Sequence, residues 1–110
     1  MKLRRDEFIS QFAIPFHVHC LRLWSRRAPA PPYSVARCCL EWIKSGNASV
    51  SLRLHDFRNV TWPVIDELYR ITPRGQRPDA NDLAGRLYDA LDAAGAEVVI
   101  GKPAEPTPSS

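Results

Sequence analysis

The sequence lacks any long hydrophobic run. Its most apolar stretch, residues 8–24, is interrupted by polar and charged side chains, and the basic Lys2, Arg4 and Arg5 are followed at once by Asp6 and Glu7. A membrane span needs about 20 consecutive apolar residues, and a signal peptide needs an unbroken apolar centre. We therefore expect a cytoplasmic protein with no membrane partner.

Cysteine is scarce, and so is lysine. The three cysteines are an odd number, and Cys38 and Cys39 are adjacent. A disulfide framework in a small secreted domain requires even, spaced cysteines, so the pattern favours a reducing compartment. The chain has twelve arginines but only three lysines. Arginine suits bidentate contacts with carboxylates and phosphates, which is compatible with an anionic partner. A high-GC genome, which favours arginine codons, explains the same composition equally well.

Catalytic signatures are also absent. The sequence contains no G-x-S-x-G turn, phosphate-binding loop, dinucleotide fingerprint or H-E-x-x-H helix, and each of these carries a recognisable reaction chemistry. We predict a non-enzymatic protein with no cofactor and no catalytic residues.

What is present favours a small α+β (or small α/β) domain over residues 1–101, followed by a disordered Pro/Ser-rich tail at 102–110. Periodicity and turn residues predict a strand–helix–strand–helix–helix–strand order with a short leading helix, in which a small mixed sheet is covered by helices. The predicted elements are a leading helix at 4–13, strands at 16–24, 49–57 and 96–100, and helices at 34–45, from Thr61 onward, and from Asp79 or Asn81 to Gly95.

The 49–57 segment alternates most regularly. Val50, Leu52 and Leu54 would point to one side of a strand, and Arg53 and His55 to the other. We expect the Val and Leu side to be buried and the Arg side to face solvent next to the 16–24 strand.

Charge is unevenly distributed, with ten Lys/Arg against four Asp/Glu in residues 1–60 and five against eight in the remainder. The leading hypothesis is a protein-binding module (a regulator, adaptor or inhibitor, with a profile common among phage and mobile-element proteins) that docks on the acidic surface of another protein or forms a homodimer. The alternative is nucleic-acid binding through the same surface. The predicted binding residues are Arg22, Arg26, Arg27, Arg37, Arg53, His55, Arg58 and Trp62.

His17 and His19 would share one face of a strand, as many metal ligands do. Cys38, Cys39 or His55 could complete a tetrahedral site. However, no C-x-x-C or H-x-x-x-H spacing supports a closed zinc site, and small thiols are common in helix cores. We therefore predict no metal and structural cysteines.

Two short family resemblances remain. The segment Arg77-Pro78-Asp79-Ala80-Asn81-Asp82-Leu83, followed by Asp89-Ala90-Leu91, resembles the P-D-x-D-N-L … D-A-L segment of RusA-type Holliday-junction resolvases. The resemblance implies magnesium binding by Asp79, and Asn81 stands where the family has its second metal aspartate. It implies a third hypothesis, a degenerate magnesium-dependent nuclease.

The second resemblance is to STAS-like regulatory domains. Residues 50–61 and 95–100 are similar to the strand–helix units of that family, although Ile65-Asp66-Glu67-Leu68 stands where its D-S-[ST]-G turn would be. This resemblance implies an architecture only.

Overall fold

The computed structural model describes residues 2–23, 32–73 and 76–100. These residues form a small α+β fold, which confirms the expected fold class. The α-helices are α1 (Arg5–Pro15), α2 (Pro32–Ser45), α3 (Leu54–Ile71) and α4 (Ala80–Ala93), and the strands are β1 (Ala48–Val50) and β2 (Val98–Ile100). The tail expected to be disordered lies outside the described residues.

The sheet is antiparallel. Ala48 pairs with Ile100 and Val50 with Val98. The N-terminal segment pairs with the edge of β2 that does not face β1. There Lys2 bridges to Val99, and the Leu3 N–H donates to the Val98 carbonyl at 2.8 Å. The mixed sheet predicted from the sequence is therefore wrong for the described residues, because its first long strand does not form.

Over residues 16–23, the predicted strand at 16–24 is replaced by helix, and Trp24 lies outside the described residues. A π-helical turn, Phe16–Cys20, continues α1 and passes into a 3-10 turn, Leu21–Leu23. Phe8, Phe12, Phe16 and Cys20 recur every four residues and are all buried. The widened π turn has more than 3.6 residues per turn, and so it keeps this four-residue spacing on one face beyond Pro15.

The predicted strand at 49–57 is also mostly wrong. Only its first residues belong to β1, and α3 begins at Leu54, seven residues before the expected start. Leu54, Phe57, Thr61, Ile65 and Leu68 repeat at three or four residues and face the protein interior. This helical repeat covers residues 54–68, whereas the two-residue alternation covers only residues 50–55. The longer pattern determines the local structure.

Other expectations from the sequence are confirmed. A leading helix, a helix ending at Ser45 and a final strand form close to their predicted positions, although α1 continues past residue 13 and β2 is shorter than the predicted strand at 96–100. Helix α4 begins after Asp79, whose side chain accepts a hydrogen bond from the Asn81 N–H at 2.9 Å. This is ordinary N-capping of a helix by aspartate.

One hydrophobic core joins the four helices. Helix α4 packs against both α1 and α3, while α2 packs against α3 and against the π-helical turn. The rings of Phe8, Phe12, Phe16 and Tyr88 form a connected cluster between α1 and α4, with Phe8 and Phe12 centred 5.1 Å apart. This arrangement leaves the far side of α3 available to solvent.

Candidate functional site

The structure places some of the predicted binding residues on separate elements. Arg26 and Arg27 lie outside the described residues. Arg22 is exposed on the 3-10 turn, and Arg37 is exposed on α2, where its Nε contacts the Glu41 carboxylate at 3.2 Å. Since residues 16–23 form helix, the part of the chain that the structure describes does not contain the pair of neighbouring strands that was expected to unite these arginines. That basis for a single Arg surface is wrong.

Helix α3 brings three of the other four residues together. His55, Arg58 and Trp62 follow one another at three and four residues, so they lie along one side of the helix. Arg53 stands at the position that precedes the first turn. We call the side defined by His55, Arg58, Asn59 and Trp62 the α3 outer face.

Local geometry orders the start of this face. The Asn59 amide nitrogen lies 3.2 Å from the His55 Nε2, one helical turn away. His55 and Asn59 are exposed, whereas Arg58 is half-buried at the edge of the helix. The Arg58 Nε atom is buried, so part of its guanidinium lies within the protein.

Trp62 is the large aromatic residue of the outer face, and 38% of it is exposed. Beyond it the helix carries Pro63 and an ion pair in which the Arg70 guanidinium contacts the Asp66 carboxylate at 2.9 Å. A shallow depression of about 210 Å³ lies between these side chains. Small-molecule sites usually enclose roughly 300–1,000 Å³, so this depression is better suited to a protruding side chain of a partner.

The carboxylates of the resolvase-like segment make contacts within the protein. Asp79 caps α4. Further along the helix, Asp82 pairs with Arg86 at 3.1 Å, and Asp89 pairs with Arg5 at 2.9 Å. Arg86 also reaches Glu67 on α3 at 2.9 Å, and these hydrogen bonds to Asp82 and Glu67 raise the pKa of Arg86. Asp79 therefore binds a backbone N–H, and Asp82 and Asp89 each bind an arginine.

His17 and His19 differ in their surroundings. His17 is exposed, while the His19 ring stacks on Trp42 of α2 with centroids 3.8 Å apart and planes inclined by 12°. Within residues 2–23, 32–73 and 76–100, no group of three or more His, Cys, Asp or Glu side chains is arranged to hold a metal ion.

Sequence analysis missed an apolar surface on α1 and the π-helical turn. Ile14 is 72% exposed and Val18, one turn later, is 44% exposed. Ile14 and His17 border a depression whose other wall is Arg77–Asn81 at the start of α4. The four-residue spacing of Ile14 and Val18 was a usable signal, but it was obscured by the expected end of the leading helix at residue 13 and by the expected strand at 16–24.

No known protein family, curated protein or solved structure matches this chain. The two resemblances noted in the sequence therefore gain no support from these comparisons. Among the described helices, none combines the length and apolar character required to span a membrane.

Proposed function

We propose that this chain is a non-enzymatic protein-binding module, acting as a regulator, adaptor or inhibitor, and that it docks on an acidic surface of its partner through the α3 outer face. The observation that carries the proposal is Trp62, a partly exposed tryptophan on a helix face that also bears Arg58 and His55.

Tryptophan and arginine supply much of the binding energy at protein interfaces. A buried tryptophan contributes a large apolar area with few rotamers to fix, and arginine adds bidentate contacts with carboxylates. Trp62 already exposes part of its ring before any partner binds. It would gain burial by inserting between side chains of the partner.

The charge at the start of α3 favours an acidic partner. Arg53 and Arg58 contribute two positive charges, and Asp56 is the only carboxylate among residues 53–62. The N-terminus of a helix adds a partial positive charge of its own. Together these groups would attract carboxylates and accelerate association at low salt.

Nucleic acid is the alternative ligand for the same basic side chains. Phosphate contacts release condensed counterions, so the logarithm of the binding constant would fall steeply and linearly with the logarithm of salt concentration. A protein interface centred on Trp62 depends less on salt, because apolar burial is insensitive to screening.

The first experiment is affinity purification of the full chain from its native host at moderate salt, with and without nuclease. We expect an acidic protein to be retained in both samples. Recovery that disappears after nuclease treatment would instead favour nucleic-acid binding, and a stoichiometric second copy would indicate a homodimer.

The captured partner then allows the surface to be tested. Trp62→Ala should weaken binding by at least tenfold, equivalent to about 1.4 kcal/mol, and Arg53→Glu should slow association. Lys44→Glu on α2 is the matched charge reversal, and Ile14→Ser removes the exposed apolar residue of α1; both should bind as the wild type does. Loss of binding in Ile14→Ser with full binding in Trp62→Ala would overturn the assignment of the surface.

A further inference from the structure

A row of exposed side chains runs along the outer side of the first helical segment. Helix α1, the π-helical turn and the 3-10 turn form one continuous helical path from Arg5 to Leu23. Its inner side buries one residue at every fourth position from Phe8 to Cys20, and an exposed residue lies two positions away from each of these. The exposed residues, which we call the outer row, are Asp6, Ser10, Ile14, Val18 and Arg22.

The middle of the outer row is apolar. Of the large hydrophobic side chains in the described residues, Ile14 exposes the largest fraction, 72%, and Val18 follows it in the row at 44%. The depression that Ile14 and His17 share with Arg77–Asn81 has a volume of about 460 Å³ and adjoins this apolar patch. Burial of the two aliphatic side chains against another apolar surface would remove them from water, which is favourable.

The two ends of the outer row carry opposite charges. Asp6 lies in the first turn of α1, and Arg22 lies in the 3-10 turn at the other end of the path. The neighbouring Arg5 is directed toward α4, where its Nε contacts the Asp89 carboxylate at 2.9 Å. Along the chain the row therefore changes from acidic through apolar to basic, with Ile14 midway between its two charged ends.

We propose that a second copy of this chain packs on the outer row, with the two helical segments antiparallel and a twofold axis passing close to Ile14. The two Ile14 side chains then meet at the axis, and Val18 of each copy lies against Ser10 of the other. Asp6 of each copy lies against Arg22 of the other. The outer row is separate from the α3 outer face, and the proposal is independent of the function proposed above.

Charge and symmetry together favour the antiparallel orientation. A twofold interface uses the same patch on both copies, so every contact between two different positions occurs twice. Antiparallel packing therefore places a carboxylate against a guanidinium at both ends of the row. Parallel packing would instead place Asp6 against Asp6 and Arg22 against Arg22. Residues spaced by four also form the ridge through which helices in globular proteins most often pack, so the spacing of the row suits contact with a second helix.

The dimer should be weak and should leave the α3 outer face accessible. Specific interfaces usually bury about 1,200–2,000 Å² in total, and one row of five residues per copy makes a small contact by this standard. The dimer population should therefore rise between micromolar and millimolar protein concentrations. Helix α4 packs against both α1 and α3, so it lies between the two surfaces.

Sedimentation equilibrium of the purified full chain tests the proposal. The average mass of the wild type should rise from that of a monomer toward that of a dimer as its concentration increases. A wild-type chain that stays monomeric at millimolar concentration, or that forms larger assemblies without limit, would overturn the proposal.

Matched isoleucine variants test the surface. Ile14→Ser should raise the dissociation constant of the dimer at least tenfold, because the change occurs in both copies at the axis. Ile71→Ser is the control, since Ile71 is 58% exposed at the end of α3 and should not take part. Unchanged dimerisation of Ile14→Ser, or loss of dimerisation in Ile71→Ser alone, would show that the outer row is not the interface.

Charge reversals test the antiparallel pairing. Asp6→Arg and Arg22→Asp should each raise the dissociation constant of their own dimers by about tenfold at low salt, because two attractive contacts become repulsive. An equimolar mixture of the two variants should recover association, since both contacts then join opposite charges. The wild type has a net charge of +3, and both variants remain positive, so general attraction between the molecules does not account for such a recovery. A mixture that associates no better than its components would contradict the antiparallel arrangement.

Discussion

At the scale of single residues, Gly46 occupies a position where a side chain would clash with the core. It follows α2, and its carbonyl accepts a hydrogen bond from the Gln11 amide at 3.0 Å. A Cβ at this position would lie 2.6 Å from the Phe12 Cε1. The Phe12 ring is fully enclosed between Phe8 and Phe16, so it has little room to move.

Gly46→Ala should therefore destabilise the protein by about 1–3 kcal/mol, the usual cost of overpacking a core. Urea denaturation measures the change in the free energy of unfolding. Gly95→Ala is the contrasting control, because its Cβ would meet no atom within 4 Å, and its cost would come only from the positive φ of 78°.

The role of Phe12 can be isolated with a double-mutant cycle. If the clash causes the loss, the destabilisations of Gly46→Ala and Phe12→Leu will add to more than the destabilisation of the double variant. Strict additivity would show that the two residues do not interact and would contradict this explanation.

Thr61 shows how a residue type can indicate the wrong role. Threonine followed two residues later by proline is typical of a helix start, and the sequence predicted that a helix begins at Thr61. In the structure Thr61 lies in the middle of α3 and is completely buried, and its Oγ1 donates to the Phe57 carbonyl at 2.7 Å. The hydroxyl is satisfied within its own helix, so burial of Thr61 leaves no unpaired polar group.

At the scale of elements, the N-terminal segment is fastened by two kinds of contact. Leu3 is buried and its N–H pairs with β2, while its carbonyl accepts a hydrogen bond from the Tyr88 hydroxyl at 2.7 Å. The Tyr88 ring also contacts Phe8, with centroids 5.6 Å apart. One side chain of α4 therefore holds both the start of the chain and the first helix.

Tyr88→Phe removes the hydroxyl and keeps the ring. We expect a loss of about 0.5–1.5 kcal/mol in the free energy of unfolding, because the Leu3 carbonyl loses its partner in a half-buried setting. Amide hydrogen exchange at Leu3 should become faster, whereas exchange within α4 should change only by the global loss. Unchanged protection at Leu3 would mean that the pairing with β2 holds the segment without help.

At the scale of the whole molecule, α4 is the central element. It packs against α1 and α3, and its Leu83, Leu87 and Leu91 side chains are buried. A domain held by one shared core should unfold in a single transition, since no helix has a separate core to retain.

Leu87→Ala tests this cooperativity. It should cost about 2–5 kcal/mol, as large-to-small substitutions in cores do, which is a substantial part of the roughly 5–15 kcal/mol typical of small domains. In the wild type, circular dichroism and tryptophan fluorescence should report the same unfolding midpoint. In the variant, the two signals should again agree with each other, at a lower midpoint. Separate midpoints for the two signals would show that part of the molecule unfolds independently.

Expectations from the sequence succeeded where a local signal agreed with the final environment. Helix α4 carries an aspartate cap, a leucine repeat and a glycine after its end, and it forms where these residues indicate. At 49–57, by contrast, a short alternation preceded a longer helical repeat. Of the proposed binding residues, His55, Arg58 and Trp62 lie together on one face of α3. This shared face was not expected, because the sequence predicted a strand at His55.

The sequence by itself determined the amphipathic helices α2 and α4, the final strand and the small α+β class, because caps, turns and apolar spacing act over a few residues. Only the tertiary structure decided that residues 16–23 continue as helix, that α3 begins at Leu54 and that the His19 ring stacks on Trp42. Those outcomes depend on which apolar faces pack together across the core, and that choice is made between segments distant in the chain.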